Sequence, residues 1–90
     1  MHGEQDMAIT VLLFASFREA VGVQRCVLEL PEASTPSNLY DLLQQSYPAL
    51  EQMRPYVSFA VNRTMTGPNT RLQDGDEVAL LQPVSGGSDA

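Results

Sequence analysis

The sequence predicts an α+β domain in which a mixed four- to five-stranded sheet packs on one main helix. The chain of 90 residues contains one long segment with helical periodicity and five short segments that favour strands. A single amphipathic helix has one apolar stripe to bury, and a sheet of this size covers it in a two-layer domain. The content of 43% hydrophobic and 18% charged residues is typical of one globular domain.

The N-terminal half is predicted to form a strand, a short helix and a second strand. Residues 8–14, AITVLLF, are rich in β-branched and aromatic side chains and favour the first strand. Ser16 is expected to cap a short helix that stops at Gly22. The second strand, QRCVLEL, is expected to pair antiparallel with the first and to direct toward the core Cys26, Leu28 and Leu30.

The main helix is predicted within TPSNLYDLLQQSYP. Thr35 suits the N-cap position and Pro36 the first helical position. Pro48 pushes Tyr47 out of helical geometry and ends the helix. The spacing predicts an apolar face formed by Leu39, Leu42, Leu43 and either Ser46 or Tyr47.

The C-terminal half is predicted to contain three strands. A second short helical turn is one interpretation of ALEQMRPY. The next segment, VSFAVN, favours a strand, and a turn at Asn62 and Arg63 connects it to the short strand TMT. Asp74-Gly75 is a tight-turn pair, and residues 77–82 form the last strand. Because EVALL is apolar on both faces, we expect it at the centre of the sheet, parallel to the first strand. This order is the ubiquitin-like β-grasp arrangement.

Composition and patterning limit the location and the classes of partner. The sequence lacks an apolar run near 18 residues and the layout of a signal peptide, so we expect no membrane association and a cytoplasmic location. The net charge is −6 and all five basic residues are arginines, so nucleic-acid binding is not expected and a basic protein partner is favoured. We expect residues 1–6 to be a flexible extension, residues 7–82 the domain and residues 83–90 a flexible tail.

The tail carries a glycine pair, Gly86-Gly87, followed by three further residues. Glycine lacks a Cβ atom, so the pair can lie extended in a channel too narrow for side chains. Six residues, 82–87, reach about 20 Å when extended, which suffices to enter the active site of another protein. The alternative is a disordered terminus in which glycine is merely tolerated.

An apolar patch is predicted beside the root of this tail. If Val78 and Leu80 face the helix, the opposite face of the sheet exposes Leu12, Phe14, Ala79 and Leu81. A small domain rarely exposes a contiguous apolar patch without a use for it. A loop at residues 48–56 that covers the patch is the alternative.

Other side chains that could react or bind a metal are expected to be structural. Cys26 lies on an apolar strand face without a neighbouring histidine, lysine or second cysteine, so we expect it to pack in the core. His2 is the only histidine, so no histidine metal site is expected. The acidic residues 74, 76 and 77 lack the spacing of a calcium loop and indicate a solvated turn. No phosphate-binding glycine motif is present, so any ATP must be bound by a partner.

Two segments, VLLFASFREAVG and LQDGDEVALLQPVSGG, closely resemble the small subunit of molybdopterin synthase, a ubiquitin-like sulfur carrier. The resemblance spans residues 7–87. It implies that an adenylyltransferase of the ubiquitin-activating type uses ATP to adenylate a C-terminal glycine, and that sulfur then replaces AMP to give a thiocarboxylate. It also implies insertion of the tail into the large synthase subunit, in a heterotetramer, and sulfur donation to cyclic pyranopterin monophosphate for the molybdenum cofactor.

The resemblance also assigns residues. It implies that Gly87 bears the reactive carboxyl group. The tail segment that enters the channel of the partner is Pro83, Val84, Ser85 and Gly86. Phe14 and Leu81 match the apolar positions of the partner-binding patch, and Arg18 is expected to pair with a carboxylate near the sheet edge. The chain itself is expected to bind no cofactor and no metal and to be the non-catalytic subunit of a sulfurtransferase.

One departure from the family concerns the residues after the glycine pair. The family ends at the second glycine, whereas here Gly87 is followed by Ser88-Asp89-Ala90. Adenylation needs a free carboxylate, so a protease that removes residues 88–90 is expected, unless the chain is an inactive paralogue. The alternative functions are a sulfur carrier for thiazole, cysteine or tRNA thiolation, a ubiquitin-like protein modifier, and an interaction domain with an unprocessed tail.

Overall fold

The computed structural model describes residues 6–82 and confirms the predicted order of strands and helices. The strands are β1 (Asp6–Leu13), β2 (Arg25–Pro31), β3 (Ser58–Val61), β4 (Thr64–Thr66) and β5 (Glu77–Leu81). The helices are α1 (Ala15–Val21), α2 (Pro36–Ser46) and α3 (Leu50–Met53), and a 3-10 turn follows at Arg54–Tyr56. Among these described residues, no helix is long and apolar enough to span a membrane.

The bounds of the first and the last strand differ from those predicted. β1 begins at Asp6, which pairs with Pro31, two residues before the predicted strand 8–14, and it ends at Leu13. β5 ends at Leu81, one residue earlier than expected. Residues 1–5 and 83–90, which hold the rest of the predicted extension and the tail, lie outside the described residues.

The sheet has the strand order β2-β1-β5-β3-β4. β1 pairs antiparallel with β2 and parallel with β5, and β3 pairs antiparallel with both β5 and β4. The last strand of the chain is therefore the central one, as the two apolar faces of EVALL predicted. One of its two neighbours is β1, so the first and the last strand of the domain lie side by side.

The core lies between the inner face of the sheet and α2. Four inward residues of β1 and β5 have no exposed surface: Ile9, Val11, Val78 and Leu80. Leu39 and Tyr40 of α2 are likewise fully buried against them. Cys26 and Leu28 of β2 are half-buried and pack against this cluster, as predicted. The strict alternation of burial along β1 and β5 leaves the other face of the sheet free of the core.

The start of α2 is the one that the sequence predicted. The Thr35 hydroxyl accepts a hydrogen bond from the Asn38 N–H at 3.2 Å, and the Asn38 side-chain oxygen accepts one from the Thr35 N–H at 3.0 Å. This reciprocal capping satisfies two backbone donors that the helix leaves unpaired. The fixed backbone of Pro36 suits the first turn.

The predicted apolar face of α2 was partly wrong. Leu42 lies on the exposed side, whereas Tyr40 is fully buried. The buried stripe is Pro36, Leu39, Tyr40 and Leu43, which has the spacing i, i+3, i+4, i+7 when counted from the proline. The predicted stripe is counted from Leu39 and not from Pro36, so it lies three residues too far along the helix.

The connection between β3 and β4 is a two-residue hairpin turn, as predicted. Asn62 and Arg63 both have left-handed backbone angles, with φ of 51° and 72°. Two such residues in succession make the type I′ turn, whose twist matches that of the flanking strands. Glycine is favoured at the second of these positions, which Arg63 occupies here.

The acidic turn before β5 is a structural element of the sheet. The Asp74 carboxylate accepts a 2.7 Å hydrogen bond from the Ala8 N–H, and Gly75 donates one of 2.9 Å to the Ala8 carbonyl. The Asp76 carboxylate accepts hydrogen bonds from the Gln73 N–H and the Asn62 side chain at 2.8 and 2.9 Å. These bonds fix the entry of β5 beside β1.

Candidate functional site

The predicted apolar patch lies on the outer face of β1 and β5. In the parallel register of these strands Leu12 is opposite Ala79 and Leu13 is opposite Leu80. Leu80 is fully buried, whereas Leu12, Ala79 and Leu81 are each half-buried. The structure therefore brings the outward residues of the first and the last strand together, as the alternation predicted. We call Leu12, Phe14, Ala79 and Leu81, with the two residues added below, the outer-face patch.

Phe14 is the aromatic member of the outer-face patch. Its side chain is 45% exposed, which is unusual for a phenylalanine in a small domain. It follows β1 directly and occupies the N-cap position of α1, so the expected cap at Ser16 was wrong. The reason is that β1 passes into α1 without a linker. The Phe14 carbonyl accepts hydrogen bonds from the N–H groups of Phe17 and Arg18 at 3.0 and 3.4 Å.

The backbone beside Phe14 is strained. Ala15 has a φ of 51°, in the left-handed region. For a residue with a Cβ atom this conformation costs roughly 1–2 kcal/mol of conformational free energy. The helix then ends as predicted at Gly22, whose φ of 93° is left-handed and whose N–H donates to the Arg18 carbonyl. The strained residue thus lies at the junction of β1 and α1, next to the exposed Phe14.

The outer-face patch continues onto β3 and β4. Ala60 is opposite Ala79 in one strand pair, and Met65 is opposite Ala60 in the next. Met65 is 61% exposed, and a methionine at a surface adapts to varied partner shapes. Neither residue was predicted, because the sequence does not show that β3 neighbours β5.

The outer-face patch forms a shallow depression of about 560 Å³. Three charged side chains line it as well: Arg25, Arg63 and Glu77. The alternative that residues 48–56 cover it is wrong, because the Tyr40 hydroxyl and the Arg54 guanidinium hold that segment against α2, in the opposite layer. Within residues 6–82, nothing covers the depression.

Arg18 does not make the expected ion pair. Between residues 6 and 82 the structure contains one salt bridge, which joins Arg54 to Asp41. Arg18 instead lies in an adjoining depression beside Phe14 and Arg25. The expected carboxylate partner of Arg18 is therefore absent from the described part of the sheet edge.

Among residues 6–82, the side chains that were predicted to be structural do not gather into a reactive or metal-binding group. Burial raises the pKa of the Cys26 thiol, which disfavours the reactive thiolate. In the described residues, no three histidine, cysteine, aspartate or glutamate side chains are grouped so that they could hold a metal ion. His2 lies outside the described residues, as do the predicted tail residues Pro83, Val84, Ser85, Gly86 and Gly87.

A five-stranded mixed sheet in this order, packed on one main helix, defines a ubiquitin-like β-grasp protein. A ubiquitin of Caldiarchaeum subterraneum, 14% identical, has the same fold with a TM-score of 0.60 over 91% of this chain and 99% of its own. The family model named ThiS family matches residues 11–87. The chain belongs to the ThiS family, and this membership covers both the outer-face patch and the glycine pair.

Relatives within this family have a consistent name. Molybdopterin synthase sulfur carrier subunits of Arabidopsis thaliana and Mycobacterium tuberculosis are each 40% identical to this chain. The first match covers 91% of this chain and 85% of the relative, and the second covers 88% and 96%.

Two solved structures add to this comparison. One is a complex of subunits 1 and 2 of the molybdopterin-converting factor from Helicobacter pylori. The matching chain of that complex is 25% identical, with a TM-score of 0.61, and the match covers 89% of this chain and 99% of the matching chain. The other is small archaeal modifier protein 1 from Methanosarcina acetivorans, 26% identical, with a TM-score of 0.78 over 91% and 98%.

Proposed function

We propose that this protein is the sulfur carrier subunit of molybdopterin synthase and that Gly87 carries the sulfur as a thiocarboxylate. The observation that carries this proposal is an exposed apolar patch at the end of the central strand, from which a tail with a glycine pair continues. Leu81 belongs to the patch, and Gly87 follows only six residues later in the chain. The names of the 40% identical relatives support the same function.

The proposed chemistry takes place on the carboxyl group of Gly87. The carboxylate attacks the α-phosphate of ATP, so that pyrophosphate leaves and a glycyl adenylate forms. A hydrosulfide ion then attacks the acyl carbon, AMP leaves with the bonding electron pair, and loss of the sulfur-bound proton gives the thiocarboxylate. The ATP is bound by the activating adenylyltransferase, and this chain contributes the acyl group.

The thiocarboxylate is the sulfur donor in the second half of the proposal. The tail enters the large subunit of molybdopterin synthase, and its sulfur passes to cyclic pyranopterin monophosphate. Two loaded carriers supply the two sulfur atoms of the dithiolene; in each transfer water hydrolyses the bond between the acyl carbon and the sulfur, so the sulfur stays on the pterin and the carrier returns with a carboxylate. The Helicobacter pylori complex of subunits 1 and 2 supports a large subunit as the partner.

A cleavage step must precede this chemistry. The Gly87 carbonyl belongs to the peptide bond with Ser88, and an amide cannot attack ATP as a carboxylate does. A channel that admits only glycine also excludes Ser88 and the charged side chain of Asp89. We propose that a protease hydrolyses the bond after Gly87.

A protein modifier is the second candidate, and it shares the first chemical step. The likeness to a protein named small archaeal modifier protein 1 favours it. In this function a lysine amine of another protein attacks the adenylated glycine, AMP leaves, and an isopeptide forms in place of a thiocarboxylate. This chain has no lysine, so it can modify another protein but cannot extend a chain of its own copies through lysine.

The deciding experiment compares the 90-residue chain with a chain that ends at Gly87. Each is incubated with the adenylyltransferase, ATP and a sulfur donor, and the intact mass is measured. The shorter chain should exchange one oxygen for sulfur, and the longer chain should stay unchanged until a protease is added. If the shorter chain is never activated, the sulfur-carrier proposal fails. If conjugates to lysines of other proteins form in place of the thiocarboxylate, the modifier function replaces it.

A further inference from the structure

We infer that Arg25 and Arg63 form a basic rim on the outer-face patch, and that this rim selects a partner surface with carboxylates at matching positions. The inference rests on the proposed function, because it takes the large subunit of molybdopterin synthase as the occupant of the patch. It adds a specificity determinant to a face whose centre is apolar. Three features of the two arginines support it: their placement, their lack of structural bonds and the backbone of Arg63.

The placement follows from the register of the sheet. Arg25 is opposite Leu12, which is opposite Ala79, and the same row continues through Ala60 to Met65. Five strands at about 4.8 Å spacing make this row about 19 Å wide. Arg25 begins the row on β2, and Arg63 lies in the β3–β4 turn near its other end. The two guanidinium groups thus flank the apolar centre.

Neither arginine has a structural role in the described part of the fold. Every hydrogen bond that an arginine side chain donates within residues 6–82 comes from Arg54, and so does the salt bridge. Arg25 and Arg63 are both exposed. Their charged groups are therefore available to a partner without the loss of an internal bond.

The two residues of the β3–β4 turn differ in their role in the fold. Asn62 forms structural hydrogen bonds, whereas the fold does not explain why Arg63 is an arginine. The Asn62 side chain accepts a 3.0 Å hydrogen bond from the Glu77 N–H and donates one of 2.9 Å to Asp76. Arg63, with a φ of 72°, occupies the position of the type I′ turn where glycine is preferred. The turn requires a left-handed backbone at this position but not an arginine side chain, and a non-glycine residue kept in a strained conformation is typical of functional positions.

The rim has the opposite charge to the protein as a whole. The chain carries a net charge of −6, yet the charged residues that line the patch are Arg25, Arg63 and a single glutamate, Glu77. Charge beyond a Debye length of about 10 Å is screened in 0.1 M salt, so the rim dominates at contact distance. Carboxylates of the partner opposite these arginines would gain charge-assisted hydrogen bonds.

The test measures binding of the large subunit to single charge reversals of equal size. Arg25→Glu and Arg63→Glu change the rim, and Arg71→Glu makes the same change at an exposed site away from the patch. Association rates and Kd values are measured in 0.1 M and 1 M NaCl, for the 90-residue chain and for the chain that ends at Gly87. We expect each rim variant to bind about tenfold more weakly in 0.1 M salt, mainly through a slower association.

The remaining outcomes separate the inference from its alternatives. In 1 M NaCl, where the Debye length is about 3 Å, the rim variants should approach the wild type. Arg71→Glu should bind no more weakly than wild type at either salt concentration. If all three reversals tighten binding equally, the net charge governs association and the rim inference is wrong. If the wild-type chain itself does not bind the large subunit, the proposed function fails instead.

A further variant, Arg63→Gly, distinguishes a binding role from a folding role. Glycine suits the left-handed turn, so the melting temperature should stay equal or rise by a few degrees. Binding in 0.1 M salt should nevertheless weaken, by about threefold or more, because the charge is lost. Unchanged affinity with higher stability would overturn the assignment of Arg63.

Discussion

The hydroxyl group of Tyr40 donates a 2.6 Å hydrogen bond to the backbone carbonyl of Leu50, and this bond joins α2 to α3 inside the core. Neither residue has exposed surface. The Tyr40 ring also lies edge-on to Phe17 and Phe59, with centroid distances of 6.4 and 6.2 Å. These contacts keep the segment after α2 in the helix layer and leave the opposite face of the sheet open.

We expect Tyr40→Phe to destabilise the protein by about 1–2 kcal/mol at pH 7, because the Leu50 carbonyl would lose its donor inside the core. Urea unfolding measures this difference. Tyr56→Phe is the matched control, since the Tyr56 side chain is 62% exposed, and its effect should stay within about 0.5 kcal/mol. Equal stability of Tyr40→Phe and wild type would mean that the hydrogen bond contributes nothing.

The same tyrosine predicts a loss of stability in alkali. Burial raises the pKa of Tyr40 to about 12, an effect that the nearby Arg54 charge partly opposes. The pKa of an unfolded tyrosine is about 10. Between these two values the unfolded chain releases a proton that the folded protein keeps, so stability is complete below about pH 10 and declines as the pH rises toward 12.

This alkaline effect is measured by urea unfolding from pH 9 to pH 12. A shift of two pKa units corresponds to roughly 2–3 kcal/mol for the wild type. Tyr40→Phe has no phenol at this position and should lose correspondingly less stability over the same interval. Parallel pH profiles of the two proteins would contradict the assignment to Tyr40.

The sequence predicted those parts of the fold that depend on local pattern. Alternation in β1 and β5 placed Leu12 and Ala79 outward, and Thr35 with Pro36 marked the start of α2. A period of two or of 3.6 residues is a property of neighbouring positions, so it can be read without knowledge of the tertiary structure. The central position of β5 also followed from composition, because only a strand covered on both faces is apolar throughout.

The features that escaped prediction depend on contacts between distant segments. Met65 joined the patch only because β3 pairs with both β4 and β5, and strand order does not follow from periodicity. Tyr40 is buried because α3 and two aromatic rings surround it. The expected partner of Arg18 was inferred from a resemblance without knowledge of the neighbouring side chains. Non-local pairings of this kind decide which apolar residues form a core and which form a surface.

We expect Cys26 to react slowly with thiol reagents. Burial raises the pKa of its thiol, and the residue packs beside the core opposite Val11. A matched control places a cysteine at the adjacent outward position, as Val27→Cys in a Cys26→Ser background, because Val27 is 61% exposed. The wild-type thiol should be labelled at least about tenfold more slowly than this control at pH 7. Comparable rates would contradict the expected burial.

The role of Cys26 in sulfur transfer requires a separate measurement. Cys26→Ser should still accept and donate sulfur at Gly87, because the proposed chemistry uses no side-chain thiol of this chain. Loss of transfer in a variant whose urea unfolding resembles wild type would give the cysteine a chemical role.

The outer-face patch predicts that Leu81→Arg weakens binding of the large subunit by at least about 2 kcal/mol, or roughly thirtyfold in Kd. The arginine would place an unpaired charge in the apolar centre, beside the root of the tail. The control is Leu42→Arg, the same substitution at a 36% exposed leucine on α2, in the opposite layer. It should bind like wild type. Isothermal titration of both variants, with urea unfolding to verify the fold, gives the comparison; equal affinities would exclude the patch from the interface.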